Sequence, residues 1–183
     1  TKQQTMYKVI VMGDVGVGVS SLLHRYACDG FSDLPRAQQD QSVDVSLDNN
    51  TVVNLTLWDQ PCSEDADSLR YISYPNTSGV ILCFSLDSPQ SFNHVKSKWL
   101  PEIKAYAPKK VPIILVGTKS DLRNDQELAE RLEEAGQSLI HQEQAETMQQ
   151  EICAVKFFEC SSKQNTGITE IMKCMATLVD NGS

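Results

Sequence analysis

The run Gly13-Asp14-Val15-Gly16-Val17-Gly18-Val19-Ser20 decides how the chain is read, because of what stands on either side of it. Before it comes Tyr7-Lys8-Val9-Ile10-Val11-Met12, an apolar stretch with the length and character of a short buried strand. After it, Val19-Ser20-Ser21-Leu22-Leu23-His24-Arg25-Tyr26 reads as a helix. Strand, glycine loop and helix form the first unit. In an open α/β sheet the ligand crevice lies at the carboxyl ends of the strands, and this glycine loop directly follows the first one.

Outward from that unit the chain alternates short β-like runs with helical patterns. Val43, Val45 and Leu47 alternate with polar residues, as do Val53, Leu55 and Leu57, and the turn Asp48-Asn49-Asn50 between them predicts a β-hairpin. Residues 79–85 and 111–116 are nearly all apolar, the pattern of parallel strands covered on both faces, and 154–158 is a further strand. Helical length and polarity mark about 89–106, 125–134, 141–150 and 166–179. In the last, Ile168, Ile171, Met172, Met175 and Leu178 form a core-facing stripe behind Thr166 and Gly167. The expected fold is a three-layer α/β domain whose six-stranded, mostly parallel sheet carries helices on both faces. A single domain over 1–183 is expected, with no repeat or linker.

Composition excludes several classes of function. Sixteen Lys and Arg against twenty-four Asp and Glu leave a net charge of −8, whose field repels phosphate backbones and anionic lipid, so nucleic acid is not an expected partner. The longest apolar runs fall far short of the roughly twenty residues that span a bilayer. The first residues lack a signal-peptide core, and the six cysteines form no pair at zinc or CxxC spacing. They read as reduced thiols in a cytoplasmic protein.

The phosphate-loop pattern is G-x-x-x-x-G-K-[ST], with backbone N–H groups cradling phosphates, a lysine on the β- and γ-phosphates and a hydroxyl on Mg²⁺. Here Gly13, Gly18 and Ser20 keep the spacing, but Val19 stands in the lysine position. Further segments are specific: Val53-Asn54-Leu55-Thr56-Leu57-Trp58-Asp59, Leu69-Arg70 with Ser73-Tyr74-Pro75, Cys83-Phe84-Ser85-Leu86, Pro112 through Lys119 with Asp121-Leu122-Arg123, and Glu159-Cys160-Ser161. On these the chain resembles the Rho/Rac branch of the Ras-like small GTPases along nearly its whole length, with the P-loop fold of that family. The charged stretch at about 125–134 falls where that branch carries an insert helix.

The resemblance implies roles residue by residue. Gly13, Gly16 and Gly18, with Ser20 and Ser21, match the phosphate loop. Thr118, Lys119 and Asp121 match the guanine-reading motif, Ser161, Ser162 and Lys163 the second base-contacting loop, and Phe31 an aromatic beside the base. Ser20 and Asp59 match the Mg²⁺ ligands. The triphosphate end departs from the family. Val19 removes an ammonium, and Val15 fills space used by the attacking water and by a partner's arginine. Cys62 replaces the glycine that approaches the γ-phosphate, and Ser63 the glutamine that positions water. No threonine occurs between Ser21 and Asn50, where Arg36 or Ala37 aligns with the switch threonine.

These losses, taken with the resemblance, imply a Rho-like pseudo-GTPase with no catalytic residues, degenerate at Val15, Val19, Cys62 and Ser63. It would work as a non-switching protein-interaction module with impaired or absent GTP binding and hydrolysis, requiring no cofactor. The alternative is a constitutively loaded GTP-binding protein, holding GTP or GDP with Mg²⁺ and hydrolysing very slowly or not at all. Implied partners are proteins of Rho and cytoskeletal signalling, met through the switch regions or the insert helix. Membrane attachment would need a lipidated tail beyond residue 183. Asp125, Glu127, Glu130, Glu133 and Glu134 read as a solvated face with a docking surface as the alternative. Lys96, Lys98, Lys104, Lys109 and Lys110 read as ordinary surface with an acidic protein partner as the alternative, and His24, His94 and His141 as structural or exposed.

Overall fold

The computed structural model describes residues 5–28, 40–48 and 50–182. Its strands are β1 (Met6–Gly13), β2 (Gln41–Ser46), β3 (Val52–Asp59), β4 (Gly79–Ser85), β5 (Ile113–Thr118) and β6 (Lys156–Glu159). They form one sheet in the order β2-β3-β1-β4-β5-β6, in which only β2, the hairpin partner of β3, runs antiparallel. The helices are α1 (Val19–Cys28), α2 (Asp67–Ser73), α3 (Pro89–His94), α4 (Leu100–Tyr106), α5 (Gln126–Glu134), α6 (Gln142–Glu151) and α7 (Ile168–Asn181). This is the expected Ras-like P-loop architecture.

Strand alternation explains the layers. Side chains two apart share a face, so Val9 and Val11 of β1 join Ile81 and Cys83 of β4 against Leu22, Leu23 and the α7 stripe Ile168, Ile171, Met172 and Met175. Ile10 and Met12 go the other way, with Val80, Leu82 and Phe84, against Phe92, Trp99, Ile103 and Met148. Burying each such side chain contributes about 1.5–3 kcal/mol. Both layers hold because the central strands are covered on each face.

Register brings the working ends of the strands level. Val11 pairs with Asp59, Gly13 with Cys83, Ser85 with Thr118, and Gly117 with Glu159. The loops after β1, β3, β4, β5 and β6 therefore open on one edge. At Gly13 a Cβ would stand 2.4 Å from the Cys83 carbonyl oxygen, so only glycine lets β1 and β4 approach where the loop begins.

One expectation needs adjustment, and one helical segment is additional to those expected. The helix expected over 89–106 is divided: α3 and α4 flank a π-helical stretch, Val95–Trp99. Helix α2 and the short turn before it, Glu64–Ala66, were not signalled by apolar periodicity. Apolar periodicity is silent here for a physical reason: α2 exposes Leu69 and Ile72 and buries Arg70 and Ser73. That inverts the usual amphipathic pattern.

Candidate functional site

The glycine loop is built for close approach by a ligand. Gly16 and Gly18 adopt φ of +81° and +98°, conformations that disfavour side chains, and a Cβ at either would meet nothing within 4 Å. Successive peptide N–H groups in such a turn make an anion-binding concavity, and the N-terminus of α1 adds its partial positive charge. Leu22 N–H donates to the Gly18 carbonyl at 3.0 Å, so α1 starts directly from the loop. Ser20 and Ser21 lie in the first turn of that helix.

Beneath the loop, Ser20 Oγ donates to Asp59 Oδ2 at 2.5 Å, joining the end of β3 to the start of α1. Asp59 is 8% exposed. Burial raises its carboxyl above the usual range; the Ser20 bond opposes the shift and the Asp40 charge adds to it. One carboxylate and one hydroxyl are hard oxygen donors of the sparse kind that Mg²⁺ takes from a protein, filling its remaining positions with phosphate oxygens and water. Among the described residues no cluster of three His, Cys, Asp or Glu side chains is gathered for a metal.

The raised Asp59 carboxyl has a pH consequence. A folded value above the unfolded one makes the protonated form the better fit to the fold. That contribution is complete below the ordinary Asp value of about 3.9 and is lost as pH rises through the folded value. Asp59→Asn is therefore expected to raise the melting temperature at neutral pH without added Mg²⁺, and the gain should vanish towards the acid end. Melting curves across the acid range check this; a gain independent of pH would contradict the charge argument.

The opposite end of the crevice is assembled from the loops after β5 and β6. Thr118 Oγ1 lies 2.5 Å from the Val17 carbonyl and 3.1 Å from that of Phe84, so this buried hydroxyl links β5 to the glycine loop. Lys119 takes the left-handed conformation at φ 62° and holds Nζ 3.6 Å from Asp87 Oδ1. Ser161 Oγ donates to Asp121 Oδ1 at 2.6 Å, while Ser120 N–H donates to the Cys160 carbonyl at 3.0 Å. Ser162 and Lys163 follow on the turn between Ser161 and Thr166, which bridge to each other. A carboxylate has about four acceptor positions. Asp121, oriented by Ser161, keeps acceptors for a pair of N–H donors such as a guanine edge presents.

Three of the residues at which the chain departs from the resembled family share one cleft, and Val19 does not line it. Val15, 75% exposed, lines with Cys62 and Ser63 a cleft of about 340 Å³ that also includes Asp14, Glu64 and His94. Burial raises the Cys62 thiol above its ordinary value, which disfavours the reactive thiolate. Val19 opens α1 half-buried and packed against the core. Phe31, Arg36 and Ala37 lie outside the described residues. Asp14, Trp99 and Arg70 tie these segments together through contacts that no short motif marks, and His94 joins them in the structural role expected of it, against Asp14.

The residues fit a guanine base, a diphosphate cradle and Mg²⁺ better than they fit a γ-phosphate, for which Val19, Cys62 and Ser63 supply neither an ammonium nor a glycine nor a glutamine. Bound there, Mg²⁺ would neutralise phosphate charge between Ser20 and Asp59. Asp121, Lys119 and Thr118 would hold and orient the base end.

The family described as the Ras family matches residues 8–181. The chain is also similar to "GTP-binding protein rho4" of Schizosaccharomyces pombe, at 37% identity over 176 residues, covering 94% of this chain and 86% of that protein.

Proposed function

From the premise that the chain belongs to the Ras family, as a Rho-like small GTPase, we propose that it is a pseudo-GTPase, a fixed interaction module that does not cycle with GTP. One observation carries this reading: a glycine loop of nucleotide-binding shape leads into α1 through Val19, with Val15, Cys62 and Ser63 facing one cleft beside it. Without the lysine, triphosphate loses a charge-assisted hydrogen bond of about 1.5–3 kcal/mol. Without Gly at 62 and Gln at 63, no group of the family kind remains to sense the γ-phosphate or orient water.

The surface offered to partners supports the same reading. Leu69 and Ile72, 64% and 73% exposed, sit on one side of α2. The helix beneath them is held by Arg70 through Glu102 and the Pro61 and Ser63 carbonyls. Helix α5 adds a second face, acidic and without any fully buried residue. Protein partners of Rho-type signalling are the class that such faces fit.

A second reading, stable guanine-nucleotide binding without turnover, is favoured by the assembled base end and by the name of the fission-yeast relative. Denaturing the purified protein and chromatographing the supernatant separates the two. The expected result is guanine nucleotide well below one equivalent, with no phosphate released from added GTP. One equivalent of bound GTP or GDP, with very slow or no phosphate release, would select the second reading instead, and rapid multiple turnover of GTP would overturn both.

A further inference from the structure

A second set of contacts crosses this edge of the sheet, and the nucleotide reading does not use it. His94 and Trp99 are five residues apart, a spacing that a regular α-helix would turn about 140° out of line. The stretch between them is π-helical. Its wider turns, closed by i→i+5 bonds, bring residues five apart onto one side. Pro101 supplies the cause: it has no N–H for the Ser97 carbonyl, and its ring crowds that carbonyl, so the preceding turn opens.

From that side two groups reach the glycine loop. Trp99 Nε1 donates to Asp14 Oδ1 at 2.7 Å, and His94 Nδ1 stands 2.6 Å from Asp14 Oδ2. The face of the same indole lies 5.2 Å from the Arg70 guanidinium. Arg70 is paired with Glu102 one turn further along, through Nε at 2.6 Å and a second nitrogen at 2.9 Å. Arg70 also donates to the carbonyls of Pro61 and Ser63, at 3.2 and 3.1 Å. One fully buried side chain thus touches the loop with its N–H and the anchor of the 60–73 segment with its ring.

We propose that Trp99 is a positioning residue that couples the glycine loop to the 60–73 segment, acting on one through Asp14 and on the other through Arg70. The chain of contacts runs from Asp14 through the Trp99 indole to Arg70, and from Arg70 to the Pro61 and Ser63 carbonyls. Movement of Asp14 shifts the indole, and the indole supports the guanidinium that holds Pro61 and Ser63. The inference concerns mutual placement and does not rest on the absence of hydrolysis.

Hydrogen exchange on the full chain tests it. Trp99→Phe keeps a ring in the core and removes the N–H. Amide exchange is expected to rise roughly tenfold in both 13–18 and 60–66, with β4 and β5 unchanged, a factor matching one lost hydrogen bond. Asp14→Ala, on the loop and outside the core, is expected to raise exchange in 60–66 as well, although Asp14 bonds to the helix and not to that segment. A rise confined to the loop in either variant overturns the coupling. A uniform rise throughout the sheet assigns Trp99 to general packing and overturns it too. GTP turnover would contradict the pseudo-GTPase reading and leave this outcome untouched.

Discussion

Arg70→Ala is expected to lower the free energy of unfolding by about 3–5 kcal/mol, because it leaves Glu102 as a buried carboxylate without its cation. The Arg70 side chain is 1% exposed and that of Glu102 9%, so water cannot take over the lost contacts. Burial alone would lower the guanidinium pKa; the hydrogen bonds and charges of Glu102 and Asp67 outweigh it and keep the group charged. Asp67 contributes little to the loss, since its side chain is 42% exposed and screened. The change also strips a donor from the Pro61 and Ser63 carbonyls and leaves Tyr74, which donates to Glu102 at 2.6 Å, beside an unpaired charge. Urea unfolding measures the effect. Arg70→Lys should lose a smaller part, since an ammonium keeps the charge but cannot span two carboxylate oxygens and two carbonyls. A loss below about 1 kcal/mol for the alanine variant would mean that the network is only partly formed in solution.

Val19→Lys is expected to raise Mg²⁺-dependent GTP affinity by about ten- to a hundredfold, the equivalent of one restored charge-assisted bond. The position can accept the change. Val19 is half-buried at the start of α1, so a lysine stem can keep the apolar contact while its ammonium extends towards the loop. Titration with a fluorescent GTP analogue reads the gain, which should be larger for GTP than for GDP. Turnover should stay at baseline, because Cys62 and Ser63 are unchanged. An unaltered affinity would show that the crevice rejects triphosphate for reasons other than missing charge.

Most of the architecture is legible in the amino-acid sequence. The strands of β1, β4 and β5 announce themselves as apolar runs, the hairpin by alternation around a turn, and α7 by its stripe, since each pattern depends on neighbours close in the chain. Observed bounds shift by a few residues; the strand expected over 111–116, for instance, runs Ile113–Thr118. Helix α2 was not legible because the residue that anchors it is charged. Arg70 can be buried only because Glu102, thirty-two positions away, meets it.

The candidate site divides in the same way. Glycine spacing and the Thr118 to Asp121 motif are local, and the structure brings them together through Thr118 and the Val17 carbonyl, 101 positions apart. His94 looked unremarkable in the chain. Its role emerges once the π-helical turn before Pro101 aligns it with Trp99 on Asp14.

By itself the amino-acid sequence determined the alternation of strands and helices, the place of the glycine loop and the identities Val15 and Val19 within it and Cys62 and Ser63 after β3. These are matters of residue identity and short-range period. Only the tertiary structure decided that Val15, Cys62 and Ser63 share one cleft, that Ser20 binds Asp59, and that Trp99 stands between Asp14 and Arg70. Those pairings come from sheet register and helix packing, which join residues up to 85 positions apart in the loop-to-helix contact, and no local pattern encodes a distance of that length.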